Sequence, residues 1–130
     1  QRRQGAPEYS PLGTGCPAVE QAVAALYQAQ NALCEACIDF DSKSMTVSEG
    51  AALVKSIQDE LSASCSPLFA YRDASPAIDI LVQCCDKCLS SLSLLAGNGD
   101  ASTAAFSSEM KYALLELSSS YSDMLKSMAG

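Results

Sequence analysis

The sequence predicts an all-α protein, an up-and-down bundle of about four amphipathic helices stapled by disulfides. Three observations carry this prediction. Apolar residues recur at alternating intervals of three and four in four segments, and no period-two alternation typical of a strand extends beyond a few residues. Seven cysteines fall within 130 residues. With 6% aromatic residues and no Trp, the core must be built chiefly from Leu, Ala, Val, Ile, Met and Cys.

Residues 1–15 hold three Gly and two Pro without apolar periodicity, which predicts a flexible N-terminal arm. Residues 16–130 are predicted to form a single disulfide-linked helical-bundle domain. The first helix is expected to begin near Cys16-Pro17, with proline in its first turn, and to run to about Phe40. Its apolar seam, with one polar interruption at Gln30, is Val19, Val23, Leu26, Gln30, Leu33, Cys37 and Phe40.

Capping signals predict where the next two helices begin. The capping box Thr46-Val47-Ser48-Glu49 starts the second helix, and Pro67 together with the polar stretch Arg72-Asp73 is expected to end it. Ser75 is the predicted N-cap of the third helix, with Pro76 at its first helical position. The two seams are Val54, Ile57, Leu61 and Leu68, then Ile78, Leu81, Cys85, Cys88, Leu92 and Leu95.

Gly97-Asn98-Gly99 offers residues that tolerate the left-handed backbone common at helix ends. The fourth helix is predicted to start at Asp100 or Ser102 and to continue almost to the last residue. Its seam is Phe106, Met110, Ala113, Leu117, Tyr121, Met124 and Met128. Short or medium connections between four helices favour the antiparallel up-and-down arrangement.

The cysteine density predicts disulfides and therefore an oxidising compartment. The candidates are Cys16, Cys34, Cys37, Cys65, Cys84, Cys85 and Cys88. If the first two helices are antiparallel neighbours, a Cys16–Cys65 bridge follows, because the start of one helix faces the end of the other. Two further bridges are expected between the first-helix pair and the third-helix group, with their pairing left open. The odd cysteine either packs as a small apolar side chain or links two chains as a dimer.

Two alternatives to disulfides stay open. Cys34-x-x-Cys37 and Cys85-x-x-Cys88 have the spacing of a four-thiolate zinc site, and thiols in a helical bundle can also bind soft ions such as Cu(I). Zinc ligand pairs normally lie on tight turns, whereas these lie within helical periodicity, and the chain has no His. The other alternative is reduced thiols in the core. Disulfides remain the preferred prediction, and no metal or cofactor is expected.

Charge and missing residue types narrow the function. Fifteen acidic residues against eight basic ones give a net charge of −7, which repels phosphate, so nucleic acid is not an expected partner. Without His, Ser-His and Cys-His pairs are impossible, and we predict no catalytic residues and no enzyme. No apolar run reaches the roughly 20 residues needed to span a bilayer. The start at Gln1, without an apolar leader, predicts a secreted protein whose signal peptide has been removed.

Small side chains on facing helices would leave internal space for an apolar small molecule. The predicted ligand-binding residues flank the turn at Gly97 on the third and fourth helices: Leu92, Leu95, Phe106 and Met110. The alternative for these residues is that they simply fill the core. The alternative function is a secreted effector-type protein that docks on another protein.

The helices are rich in Ala, Ser and Leu and lack Trp, as in Val54-Lys-Ser-Ile57 and Leu114-Leu-Glu-Leu117. In this texture the chain resembles the secreted hydrophobic-surface-binding and cell-wall mannoprotein family of filamentous fungi. The resemblance covers residues 16–130 as a pattern, and it implies a fungal protein that binds lipid or a hydrophobic surface. The seven cysteines depart from that family's usual cysteine-poor composition.

Overall fold

The computed structural model describes residues 17–42 and 45–129, which form four α-helices and, within those ranges, no strand. Helix α1 spans Pro17–Ser42, α2 Val47–Phe69, α3 Pro76–Ala96 and α4 Thr103–Ala129. The helices pack against one another as a bundle, which confirms the predicted all-α class. The predicted N-terminal arm and Cys16 lie outside the described residues.

Each helix packs against the next in sequence, and α4 closes the ring by packing on α1. The rings of Tyr27 and Tyr121 lie 6.0 Å apart and those of Phe40 and Phe106 lie 5.4 Å apart, measured between centroids. An early residue of α1 thus meets a late residue of α4, so these two helices are antiparallel. The α1–α2 and α3–α4 connections therefore share one end of the bundle, which we call the paired-loop end.

Both predicted capping sites are confirmed. The Thr46 hydroxyl accepts a hydrogen bond from the Glu49 amide at 3.0 Å, and the Glu49 carboxylate accepts one from the Thr46 amide at 2.9 Å. At α3, the Ser75 hydroxyl accepts from the Ile78 amide at 3.2 Å, and Pro76 is the first helical residue. Each cap satisfies backbone donors that have no partner inside the helix.

The other boundaries fall close to the predicted ones. Pro67 lies inside α2 rather than ending it, and the helix continues for two more residues to Phe69, with the side chain of Leu68 fully buried. Helix α1 ends at Ser42, slightly beyond Phe40. Helix α4 begins at Thr103, where the Ser102 hydroxyl accepts a hydrogen bond from the Ala105 amide at 3.2 Å.

The buried face of α1 differs from its predicted seam. Val23 and Gln30 are only partly buried, while four alanines outside that seam are buried: Ala22, Ala25, Ala29 and Ala36. Their small side chains suit the extensive packing of α1 on α2. The largest fully buried side chains are Phe106, Leu33, Leu61, Leu68, Leu81, Leu92, Met110 and Leu117. None of the helices described is both long and apolar enough to cross a membrane.

Candidate functional site

An open groove of about 710 Å³ lies at the paired-loop end, between the end of α1 and the starts of α2 and α4. Its lining residues are Phe40, Asp41, Met45, Thr46, Val47, Thr103, Ala104 and Ser107. Phe40 is only 3% exposed, and behind it lies the ring of Phe106 in the core. Met45 and Val47 are partly buried against the same core. The groove therefore has an apolar floor and an open mouth.

The polar side of the groove is formed by Asp41, Thr46, Thr103 and Ser107, and Asp41 forms an ion pair with Lys111 of α4. Lys111 Nζ lies 3.0 Å from Asp41 Oδ2, and the Ser107 hydroxyl donates a hydrogen bond to Asp41 Oδ1 at 2.9 Å. These hydrogen bonds, from Lys111 first and Ser107 second, lower the pKa of Asp41. Asp41 is therefore ionised at neutral pH and its charge is balanced by Lys111.

Gly50 allows α2 to pack closely on the aromatic residues at this end of the core. A Cβ built on Gly50 would lie 2.8 Å from Phe106 Cε2 and 3.3 Å from the Phe40 ring, so α2 packs directly against both rings. The apolar periodicity of α2 does not reveal Gly50 as a contact. The available signal in the sequence is a glycine within a helical pattern, because such a glycine often marks a close approach of two elements.

The four predicted ligand-binding residues are between 0% and 2% exposed and belong to one core cluster at the Gly97 end of α3 and the start of α4. They are Leu92, Leu95, Phe106 and Met110. None of them lines the groove, and Phe40 lies between the groove and Phe106. Their burial favours the core-filling alternative, while contact with a ligand stays a prediction.

The described cysteines form two separate groups, all as free thiols. Four are buried on α2 and α3, with Cys84 also facing α4: Cys65, Cys84, Cys85 and Cys88. Within this group the thiol of Cys65 is hydrogen-bonded to that of Cys85, and the thiol of Cys84 to that of Cys88. The predicted Cys16–Cys65 bridge is untested, since Cys16 lies outside the described residues.

The other group is on α1, beside α4. Cys34 is exposed and Cys37 is buried. Burial raises the pKa of Cys37, as do the neighbouring Cys34 and Asp41, while Lys111 of α4 lowers it. These neighbours belong to α1 and α4. The predicted bridges from the first-helix pair to the third-helix group stay predictions.

Metal binding finds no support among residues 17–42 and 45–129. No group of three or more His, Cys, Asp or Glu side chains there is placed to hold a metal ion. The two Cys-x-x-Cys pairs that suggested a four-thiolate site lie in different groups.

No family model matches this chain, and no curated protein or solved structure matches it either. The resemblance to the fungal surface-binding family therefore rests on sequence pattern alone. Fold and groove together define the described residues as a four-helix bundle with a recess at one end, and the floor of that recess is apolar.

Proposed function

We propose that this protein is a non-catalytic binding protein that holds a neutral apolar molecule, or the edge of a hydrophobic surface, in the groove at the paired-loop end. The observation that supports this proposal is the shape of the groove. Its floor is apolar, formed by Phe40, Met45 and Val47, and its mouth is open. Concave, mostly apolar recesses with few polar groups are the usual form of small-molecule sites.

Charge favours a neutral ligand over an anionic one. Among the described residues, the cation beside the groove is Lys111, which is already paired with the lining residue Asp41 at 3.0 Å. A carboxylate or phosphate headgroup would have to displace Asp41 or lose its hydration without compensation, which is costly. The net charge of −7 adds repulsion over a longer range.

The test is a titration with two fluorescent probes, neutral Nile red and an anionic fluorescent fatty acid. We expect Nile red to bind more tightly. Replacing the exposed groove residue Ala104 by Trp should block the groove and weaken Nile red binding by at least about tenfold. The matched control is Ala63→Trp, an exposed position on α2 outside the groove lining. No binding by the parent chain, or equal binding by Ala104→Trp, would reject the groove.

Substitutions in the core test whether the ligand binds in the groove or at the internal site that the sequence predicts. If the ligand enters the core, Leu95→Trp or Met110→Trp should abolish uptake at little cost in stability. In a filled core the same changes destabilise by roughly 1–3 kcal/mol and leave the groove available. Since Leu95 is 2% and Met110 is 1% exposed, we expect the second result.

Docking on another protein is the second candidate, and one observation favours it. Leu94 is 74% exposed, Tyr112 72% and Leu115 66%, all on α3 and α4. Native mass spectrometry of the purified protein distinguishes the two functions. A co-purifying apolar molecule supports the carrier, and a ligand-free chain that also fails to bind Nile red supports docking.

Secretion from a fungal cell belongs to this proposal as well. It is supported by the cysteine density, which is typical of oxidising compartments. Among the described cysteines Cys34 is the exposed one, so it is our candidate for linking two chains into a disulfide-bonded dimer.

A further inference from the structure

We propose that Cys65 and Cys85 form a disulfide that joins α2 to α3. The two residues lie on helices that pack directly against each other, both side chains are 0% exposed, and the two thiols are within hydrogen-bonding contact. The pair competes directly with the Cys16–Cys65 bridge predicted from sequence, because a sulfur can belong to only one disulfide.

Helix geometry explains why we expect a disulfide between Cys65 and Cys85 and none between Cys84 and Cys88. Cys84 and Cys88 also touch, but they are four residues apart on α3. Cβ atoms at that spacing lie about 5–6 Å apart, whereas a disulfide needs them about 3.5–4.5 Å apart. Bridging Cys84 to Cys88 would therefore distort the helix, and the same holds for Cys34 and Cys37 on α1.

Closure of the bridge needs an oxidant, and a low-molecular-weight disulfide such as glutathione disulfide supplies it. Either thiol can attack first. When Cys65 is the first nucleophile, its thiolate attacks the glutathione disulfide, forming a mixed disulfide and releasing one glutathione. Cys85 then gives up its proton, attacks the Cys65 sulfur and releases the second glutathione.

In this exchange two thiol protons and two electrons leave the protein, and one glutathione disulfide is reduced to two glutathione thiols. Because both cysteines are fully buried, the oxidant reaches them while the chain folds or when the α2–α3 contact opens. Once formed, the bridge is shielded in the same way. A water-soluble phosphine reductant should cleave it rapidly in guanidinium chloride and slowly under native conditions.

Trypsin offers a direct test. The full chain is refolded in a glutathione redox buffer, its free thiols are alkylated in denaturant, and it is digested without reduction. Cleavage after Lys55, Arg72 and Lys87 puts Cys65 in peptide 56–72 and separates peptide 73–87 from Cys88. We expect peptides 56–72 and 73–87 to be linked, with a mass about 2 Da below the sum of peptide 56–72 and peptide 73–87 alkylated at Cys84.

Peptide 73–87 contains both Cys84 and Cys85, so matched variants identify the partner. Cys85→Ser should abolish the link, and Cys84→Ser should retain it. The proposal is overturned if Cys65 is alkylated in the refolded parent, or if peptide 56–72 is linked to peptide 4–43 or to the Cys88 peptide. Persistence of the link in Cys85→Ser would overturn it too. If a variant fails to fold, the disulfide-linked peptides of the parent chain still test the proposal.

Discussion

Gly50 lies near the start of α2, with the rings of Phe40 and Phe106 against its Cα. Inside a helix, glycine costs about 1 kcal/mol relative to alanine. Here the missing side chain lets α2 approach two aromatic rings that pack on each other at 5.4 Å. The close contact at Gly50 also holds the ring of Phe40 in place, and Phe40 forms part of the floor of the groove.

Gly50→Ala should therefore destabilise the protein by about 1–3 kcal/mol, the range for overpacking a core. The Cβ would lie 2.8 Å from Phe106, which is fully buried and cannot swing away freely. Chemical denaturation measures the change. The control is Gly99→Ala, whose Cβ would lie an ordinary 3.8 Å from that of Ala51, and a change within about 0.5 kcal/mol is expected. If Gly50→Ala were more stable than the parent, the rings of Phe40 and Phe106 would have to move aside to make room for the added methyl group.

At the scale of elements, the start of α2 is defined by reciprocal hydrogen bonds between Thr46 and Glu49. Thr46→Ala removes the side-chain acceptor for the Glu49 amide, and we expect a loss of about 1 kcal/mol in the free energy of unfolding. Ser48→Ala is the matched control, because Ser48 is an exposed residue of the same turn outside the reciprocal pair. Equal effects of the two substitutions would mean that the cap contributes nothing specific.

The same cap has a pH dependence of defined sign. Hydrogen bonds from the Thr46 amide first, and from its hydroxyl second, lower the pKa of Glu49. Because the folded pKa lies below the unfolded value of about 4.3, the stabilisation is complete at neutral pH and is lost as pH falls through the folded pKa. The difference in Tm between the parent and Glu49→Gln should thus be largest at neutral pH and shrink in acid. A constant difference would contradict this account.

At the scale of the whole molecule, the groove and the proposed Cys65–Cys85 link lie in different parts of the described bundle. The groove is at the paired-loop end, where α2 begins, whereas Cys65 lies near the opposite end of α2. Opening the paired-loop end to a ligand therefore leaves the proposed Cys65–Cys85 link intact.

The sequence predicts that residues 1–15 are dispensable for folding, because they lack the periodic apolar side chains that a core requires. These residues lie outside the described ranges. Limited proteolysis should trim them first, and a variant that begins at Cys16 should melt at nearly the same temperature as the full chain. A clear fall in Tm on their removal would show that they pack on the bundle.

Local signals in the sequence determined most of the element boundaries. The caps at Thr46 and Ser75 are defined by residues three positions apart, so their hydrogen bonds form wherever the helix lies in the molecule. The seams of α3 and α4 were likewise readable, since helical periodicity depends only on neighbours along the chain. The sequence also predicted ligand binding on α3 and α4 at the Gly97 end, which stays a prediction. The groove at that end of the bundle lies on α1, α2 and α4.

Tertiary structure decided the rest. The rotation of α1, which buries Ala22 and Ala29 while leaving Gln30 partly exposed, depends on how closely α2 can approach. The contact of Cys65 with Cys85 and the groove above Phe40 depend on the register between helices far apart in sequence. Register and rotation are set by many side chains packing at once, so no local pattern contains them.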